Sequence, residues 1–168
     1  MSARIALASF GLFFFALAGT PAPAQNLGFH GWGPRGGLSV APDQALVGAH
    51  FDLGEIVSSL RLQPSIEAGF GDDRRLVVVT LPVLYRFDTG RRFTPYAGGG
   101  AGIAWVDVDE DACPPGVDCA GSDIDAAPVG IGGIEFPLRQ GNDIFFEIHA
   151  AGRDLPDVKL VIGWQFSV

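Results

Sequence analysis

The stretch LRLQPSIEAGF, residues 60–70, decides the fold class because apolar and polar side chains alternate along it. A period of two indicates a β-strand, in which successive side chains point to opposite faces of the sheet. Its eleven residues match the length of a tilted strand that crosses a membrane. One face carries Leu60, Leu62, Pro64, Ile66, Ala68 and Phe70, and the other carries Arg61, Gln63, Ser65, Glu67 and Gly69.

Turn signals divide the rest of the chain into segments with the same alternation. Short breaks lie at 42–43, 71–73, 88–90, 140–142 and 155–157, a looser one at 53–59, and a long loop at about 107–123. Because eight is the smallest number of strands that closes into a membrane barrel, we predict an all-β, eight-stranded antiparallel up-and-down transmembrane β-barrel. The predicted strands are 28–40, 44–53, 59–70, 75–87, 92–106, 124–138, 143–152 and 158–168.

Prolines inside these segments conflict with regular strands. A proline has no N–H to donate, and a closed barrel has no free edge at which that loss is harmless, so each position requires a bulge or a strand end. The alternation alone does not say how they are accommodated. The prolines are Pro34, Pro64, Pro82, Pro95 and Pro128.

The first 24 residues predict a secretory signal peptide. A weakly positive start precedes an apolar run at 5–19, and Ala22-Pro23-Ala24 has the small-x-small form of a cleavage site. The 15-residue run is shorter than the ~20 residues that a membrane-spanning helix needs. We therefore expect a signal peptide at 1–24 and an outer-membrane β-barrel domain at 25–168.

The composition is apolar and acidic, with a mean hydropathy of +0.28 and a net charge of −8. An acidic chain is unsuited to nucleic acid, whose phosphates need a basic partner surface. It is equally unsuited to polybasic attachment to a membrane surface. No run after residue 24 is long enough for a transmembrane helix, so the apolar residues must be distributed along strands.

Charges on the polar strand faces are few and balanced, which favours a closed lumen over a water-facing exterior. Unpaired charges are costly in such an interior, whereas a soluble surface carries many scattered charges. The alternative is a soluble periplasmic, lipocalin-like barrel with its apolar face inward. The expected luminal network consists of Arg35, His50, Glu67, Arg86, Glu135, Glu147, His149 and Lys159.

The long loop contains two cysteines and several acidic residues. In an exported protein, Cys113 and Cys119 are expected to form a disulfide, since no further ligands suggest a metal site. The acidic run 107–111 has carboxylates at EF-hand-like spacing, but Ala112 replaces the required glycine and a Pro-Pro pair follows. We expect no metal and no other cofactor, with calcium as the alternative.

With an N-terminus in the periplasm, the breaks at 53–59, 88–91 and 139–142 face the periplasm and the long loop faces outward. Aromatic residues are candidates for girdles at the two membrane interfaces, with ordinary core aromatics as the alternative. Separately, bulky Tyr96, Phe145 and Gln165 are expected to fill the narrow lumen further. The girdle candidates are Trp32, Trp105, Trp164, Tyr85 and Tyr96.

Three segments carry a family resemblance: TPYAGGGAGIAWVDVD (94–109), GGIEF (132–136) and KLVIGWQFSV (159–168). With the signal peptide, they resemble the small bacterial outer-membrane β-barrels of the OmpA/OmpX type. The resemblance implies that Gly163, Phe166 and Val168 belong to the C-terminal signal read by the barrel-insertion machinery, although Val168 stands where the family usually has Phe. It also implies contact with outer-membrane lipids and lipopolysaccharide, and a monomer.

The resemblance bears on catalysis as well. Lipid A deacylase, an enzyme of this barrel class, has a His and a Ser two residues apart on a late strand. The comparable stretch here is His149-Ala150-Ala151, which lacks the nucleophile. The expected function is therefore a non-enzymatic structural or surface-interaction role in the envelope. Alternatives are the soluble ligand-binding barrel, a narrow solute channel and, last, a lipid-modifying enzyme.

Overall fold

A computed structural model describes residues 26–40, 43–71, 74–108, 122–138, 141–152, 155 and 157–168. Antiparallel strands account for nearly all of them. In this part of the chain no helix is long and apolar enough to cross a membrane. The strands are β1 (Asn26–Val40), β2 (Gln44–Val57), β3 (Leu60–Leu62), β4 (Ser65–Phe70), β5 (Arg74–Arg86), β6 (Thr94–Val108), β7 (Ser122–Pro137), β8 (Asn142–Ala151) and β9 (Val158–Ser167).

The strands close into a barrel, because β1 pairs with both β2 and β9. Each strand position in the barrel wall is called a stave. β3 and β4 are two pieces of one stave, since each pairs with β2 on one side and with β5 on the other. Every other strand pairs antiparallel with its neighbours in sequence. The prediction of an eight-stranded up-and-down barrel is confirmed.

The two ends of the barrel are named by what they carry. The terminal end holds Asn26 and Ser167, together with the turns at 58–59 and 87–93 and the connection between β7 and β8. The loop end is opposite, where β6 stops at Val108 and β7 starts at Ser122. The hydroxyl of Ser167 donates a hydrogen bond to the carbonyl of Gly141, which fastens the last strand to a turn at the terminal end.

The largest boundary error concerns the predicted break at 53–59. β2 continues to Val57, and only a tight turn separates it from β3. Ser59 takes a positive φ of 67° in this turn, a conformation that most residues other than glycine avoid. Asp52 and Gly54 remain strand residues, and the carboxylate of Asp52 accepts a hydrogen bond from the backbone N–H of Gly54.

The proline at position 64 explains why one stave is broken. Pro64 lies between β3 and β4, where it cannot donate to the ladder, although its carbonyl still accepts from the N–H of Phe51 at 2.9 Å. Similarly, the carbonyl of Pro82 accepts from the N–H of Gln63 at 3.3 Å. Pro34, Pro95 and Pro128 stay within paired strands, so these prolines remove single donors without opening the barrel.

The outer wall is apolar between the two ends. Large hydrophobic side chains on every stave are exposed, including Leu81 at 54%, Ile148 at 57% and Leu160 at 55%. The only charged side chains on the outward strand faces, among those the structure describes, are Glu55 and Arg75 near the strand ends. The alternation that defines the strands therefore places its apolar face outside and its polar face inside.

Candidate functional site

The lumen holds two ion-pair clusters, and the first, nearer the loop end, is built around Arg35. The guanidinium of Arg35 reaches Glu67 through Nε at 2.8 Å and Glu147 through Nη2 at 2.6 Å. Lys159 completes the pairing of Glu67, with its Nζ 2.5 Å from Oε2. All four side chains are at most 3% exposed, so each charge depends on its partner and not on solvent.

Glu147 is the most connected carboxylate of this loop-end cluster. Besides Arg35, it accepts a hydrogen bond from the hydroxyl of Tyr96 at 2.8 Å. The ring Nε2 of His149 lies 2.8 Å from Glu147 Oε2 and 3.0 Å from Arg35 Nη2. These side chains come from β1, β6 and β8, so the carboxylate ties together distant parts of the barrel wall.

The second cluster lies nearer the terminal end and centres on Glu135. Its two carboxylate oxygens pair with Arg61 at 2.6 Å and with Arg86 at 2.7 Å. Arg61 also reaches Asp52 at 3.4 Å, and the side-chain amide of Gln165 donates to the same carboxylate at 2.8 Å. Arg86 is the most open member, with 34% of its side chain exposed.

A phenyl ring separates the two clusters. Phe145 is 1% exposed and lies on β8 between Glu147 and the terminal end. The ring of His50 meets it edge-on with centroids 4.8 Å apart, and the guanidinium of Arg35 lies 5.7 Å from its centroid. On the adjacent strand Gly163 faces the ring so closely that an added Cβ would collide with it.

Part of the lumen is apolar. β5, β6 and β7 contribute a packed wall, and Leu155, from the connection between β8 and β9, packs onto it with 2% exposure. Barrels of eight strands have an interior that side chains can fill. Here the ion pairs of the two clusters and this apolar wall fill the interior together. The wall consists of Leu76, Val78, Leu84, Ala104, Ala127, Val129 and Ile131.

The eight residues expected in the luminal network all face the interior. Six of them form ion pairs in the two clusters, and His149 joins the loop-end cluster beside Glu147. His50 is fully buried, and its ring packs edge-on against the ring of Phe145. The ring Nε2 of His149 instead contacts Glu147 and Arg35.

Four partners in the clusters were not among the expected network residues: Asp52, Arg61, Tyr96 and Gln165. The alternation of the sequence places two of them in the lumen, because Asp52 shares a strand face with His50, and Arg61 shares one with Glu67. With them the described clusters contain four cations and four carboxylates, so the two clusters are neutral. Tyr96 is 3% exposed, so its assignment to an aromatic girdle is wrong and its reading as a lumen-filling residue is right.

The remaining girdle candidates lie on the outer wall. Trp32, Trp105 and Trp164 are between 39% and 46% exposed, and Tyr85 is 47% exposed. Trp32 and Trp164 both contact Phe166 near the terminal end. Of the expected C-terminal signal residues, Phe166 and Val168 are exposed on the outside while Gly163 faces the lumen.

Comparison with solved structures identifies the architecture. The N-terminal β-barrel domain of Pseudomonas aeruginosa OprF superposes with a TM-score of 0.64 at 14% identity, covering 84% of this chain and 99% of that domain. Neisserial surface protein A gives a TM-score of 0.61 at 14% identity, covering 83% and 97% respectively. The chain has the fold of the small eight-stranded outer-membrane β-barrels.

A designed protein shares this barrel fold. The de novo designed TMB2.3 superposes with a TM-score of 0.52 at 11% identity, covering 89% of this chain and 98% of that protein. No protein-family profile and no curated protein matches the sequence. The similarity to these solved structures is therefore a similarity of the backbone fold.

Several expectations concern residues outside the described part of the chain. They are the signal peptide at 1–24, the Cys113–Cys119 disulfide and most of the acidic loop considered for calcium. Within the described residues, no group of three or more His, Cys, Asp or Glu side chains is arranged to hold a metal ion. The disulfide and the signal peptide stay predictions.

Proposed function

We propose that the chain is a non-enzymatic β-barrel of the bacterial outer membrane, with a structural or surface-interaction role in the cell envelope. The observation that carries this proposal is the inverted distribution of side chains. Large hydrophobic residues cover the outside, while paired charges fill the inside. A soluble barrel would need the opposite arrangement, since exposed apolar patches of this extent make a protein aggregate in water.

The proposed partners follow from the same surfaces. Acyl chains of outer-membrane lipids would cover the apolar wall, including a groove of about 640 Å³ across β7, β8, β9 and β1. Lipopolysaccharide would meet the loop end. The insertion machinery would read the last strand, with Gly163, Phe166 and Val168 as part of its signal. The charge-paired interior is self-sufficient, so the barrel is proposed as a monomer.

Fractionation and heat modifiability test this location. Cell envelopes are separated into periplasm, inner membrane and outer membrane, and each fraction is run on SDS gels with and without boiling. We expect the protein in the outer-membrane fraction, with a mobility shift on boiling, because a closed barrel resists SDS until heat unfolds it. Recovery from the periplasm without detergent and without a heat shift would instead support the soluble, lipocalin-like alternative.

The channel alternative is tested by conductance in planar bilayers. Ion pairs on both sides of Phe145 and the apolar wall under Leu155 fill the lumen. We therefore expect no discrete ion-conducting steps from the folded protein. Stepwise conductance from preparations that show the heat shift would favour a channel over a structural role.

A further inference from the structure

A row of three phenyl rings connects the outer wall with an exposed arginine at the terminal end. The guanidinium of Arg91 lies 5.9 Å from the centre of the Phe93 ring. Phe93 contacts Phe136 with ring centres 6.0 Å apart, and Phe136 contacts Phe146 at 6.2 Å. Phe146 is 46% exposed on the outer face of β8. A positive charge and a continuous apolar track are therefore joined on one side of the barrel.

The turn at 87–93, which carries Arg91, has a net positive charge. Arg91 and Arg92 are both exposed, and neither guanidinium has an ion-pair partner among the described residues. The turn contains one carboxylate, that of Asp88, which accepts a hydrogen bond from the backbone N–H of Gly90 at 3.0 Å. The two arginines are therefore available to an anion outside the protein.

The row of rings ends at the groove across β7, β8, β9 and β1, because Phe146 belongs to both. The outward residues of the groove form two registered rows across these strands. Gly132 contributes to its floor, where an added Cβ would meet no atom within 4 Å. The first row is Ile134, Phe146 and Ile162, and the second, nearer the loop end, is Ile148, Leu160 and Leu38.

We propose that this side of the barrel is a selective binding site for one anionic glycerophospholipid of the inner leaflet. Its phosphate lies at Arg91, and one acyl chain follows the row of rings into the groove. The inference rests on the proposed outer-membrane location, with the terminal end facing the periplasm. Guanidinium groups bind phosphate oxygens through charge-assisted hydrogen bonds. The positive turn favours a headgroup with a net negative charge over a zwitterionic one, because the extra charge adds to the attraction.

Lipid titration followed by native mass spectrometry tests the headgroup site. The protein in detergent micelles is titrated with dioleoyl phosphatidylglycerol, which is anionic, or with dioleoyl phosphatidylethanolamine, which is zwitterionic. We expect tighter binding of the first phosphatidylglycerol molecule, and the double variant Arg91→Gln with Arg92→Gln should weaken that binding about tenfold. The matched control is Arg74→Gln with Arg75→Gln, an adjacent pair at the other end of β5, which should leave it unchanged. Equal binding of the two lipids, or equal losses in the two double variants, overturns the proposal.

A second pair of variants tests the acyl-chain groove. Gly132→Leu places a side chain in the groove from its floor, so it should weaken binding of phosphatidylglycerol. Ala101→Leu adds the same side chain to an exposed position of β6 outside the groove and should not. Equal binding by these two variants overturns the groove as the acyl-chain site.

The heat shift on SDS gels separates failure of the lipid site from failure of the proposed function. Every preparation is run with and without boiling. Equal binding of the two lipids by protein that keeps the heat shift refutes the lipid site alone. Absence of the shift in the unsubstituted protein refutes the membrane barrel and the lipid site together.

Discussion

At the residue scale, Glu147 shows how a charge survives inside a small barrel. It has contacts with Arg35, His149 and Tyr96, so both carboxylate oxygens are occupied. Removing one member of a buried ion pair leaves its partner charged and unpaired, and this penalty exceeds the net benefit of the pair itself. The buried clusters should therefore be intolerant of single substitutions even where they add little net stability.

The first prediction follows from this asymmetry. Glu147→Leu should lower the free energy of unfolding by about 3–5 kcal/mol, because it leaves Arg35 without one of its two carboxylates. Urea titration of the protein in detergent micelles, followed by tryptophan fluorescence, measures the change. Glu110→Gln, in the acidic loop of the sequence, is the control and should alter stability little. Equal losses in the two variants would contradict a charge-paired lumen.

A second residue-level prediction compares two glycines on the barrel wall. At Gly163 an added Cβ would collide with the Phe145 ring, whereas at Gly132 it would meet no atom within 4 Å. Gly163→Ala should therefore destabilise the barrel by about 1–3 kcal/mol, the usual cost of overpacking, while Gly132→Ala should not. The urea midpoints of unfolding of both variants test this prediction. A larger fall in the midpoint for Gly132→Ala than for Gly163→Ala would show that Phe145 does not pack as described.

At the element scale, strand positions were predictable because alternation and turn residues are local features of the sequence. The stave around residues 60–70 was predicted at the correct position. Pro64 interrupts it, but the sequence alone does not show which hydrogen bonds of the ladder Pro64 breaks and which it keeps. The extension of β2 to Val57 was missed, since the tight turn at Ser59 depends on a positive φ that serine seldom adopts.

The outer wall of β5 supplies a prediction at this scale. Leu81 lies near the middle of β5 with its side chain 54% exposed. Leu81→Lys should cost about 2–4 kcal/mol in a lipid bilayer, because a lysine at the bilayer midplane loses its hydration. Val40→Lys, at the end of β1, should cost about 0–1 kcal/mol because that position is near the interface. Refolding equilibria in lipid vesicles give both values; similar costs at the two sites would argue against a membrane-spanning wall.

At the scale of the whole molecule, the fold could be predicted from the sequence, but which luminal side chains pair with each other could not. Closure follows from eight amphipathic strands with no helix among the described residues to cover an edge. The ion pairs, by contrast, join residues far apart in sequence, as with Arg35 and Glu147, which are separated by 112 positions. Alternation places both side chains in the lumen, but barrel stagger and side-chain length decide whether they meet.

Because the number of staves is even, the first and last strands both have their chain ends on the same side of the barrel. The lengths of the connections then indicate which side faces the periplasm. Both described chain ends, the turns at 58–59 and 87–93 and the connection between β7 and β8 lie at the terminal end. The connection between β6 and β7, the longest in the chain, lies at the loop end. Outer-membrane barrels have short periplasmic turns and longer external loops. An epitope inserted at position 115 should therefore bind antibody on intact cells, while the same epitope inserted after Gly90 should bind only after the outer membrane is permeabilised. Binding of both on intact cells would indicate a leaky envelope, and the reverse pattern would mean that the barrel is inserted with its terminal end outward.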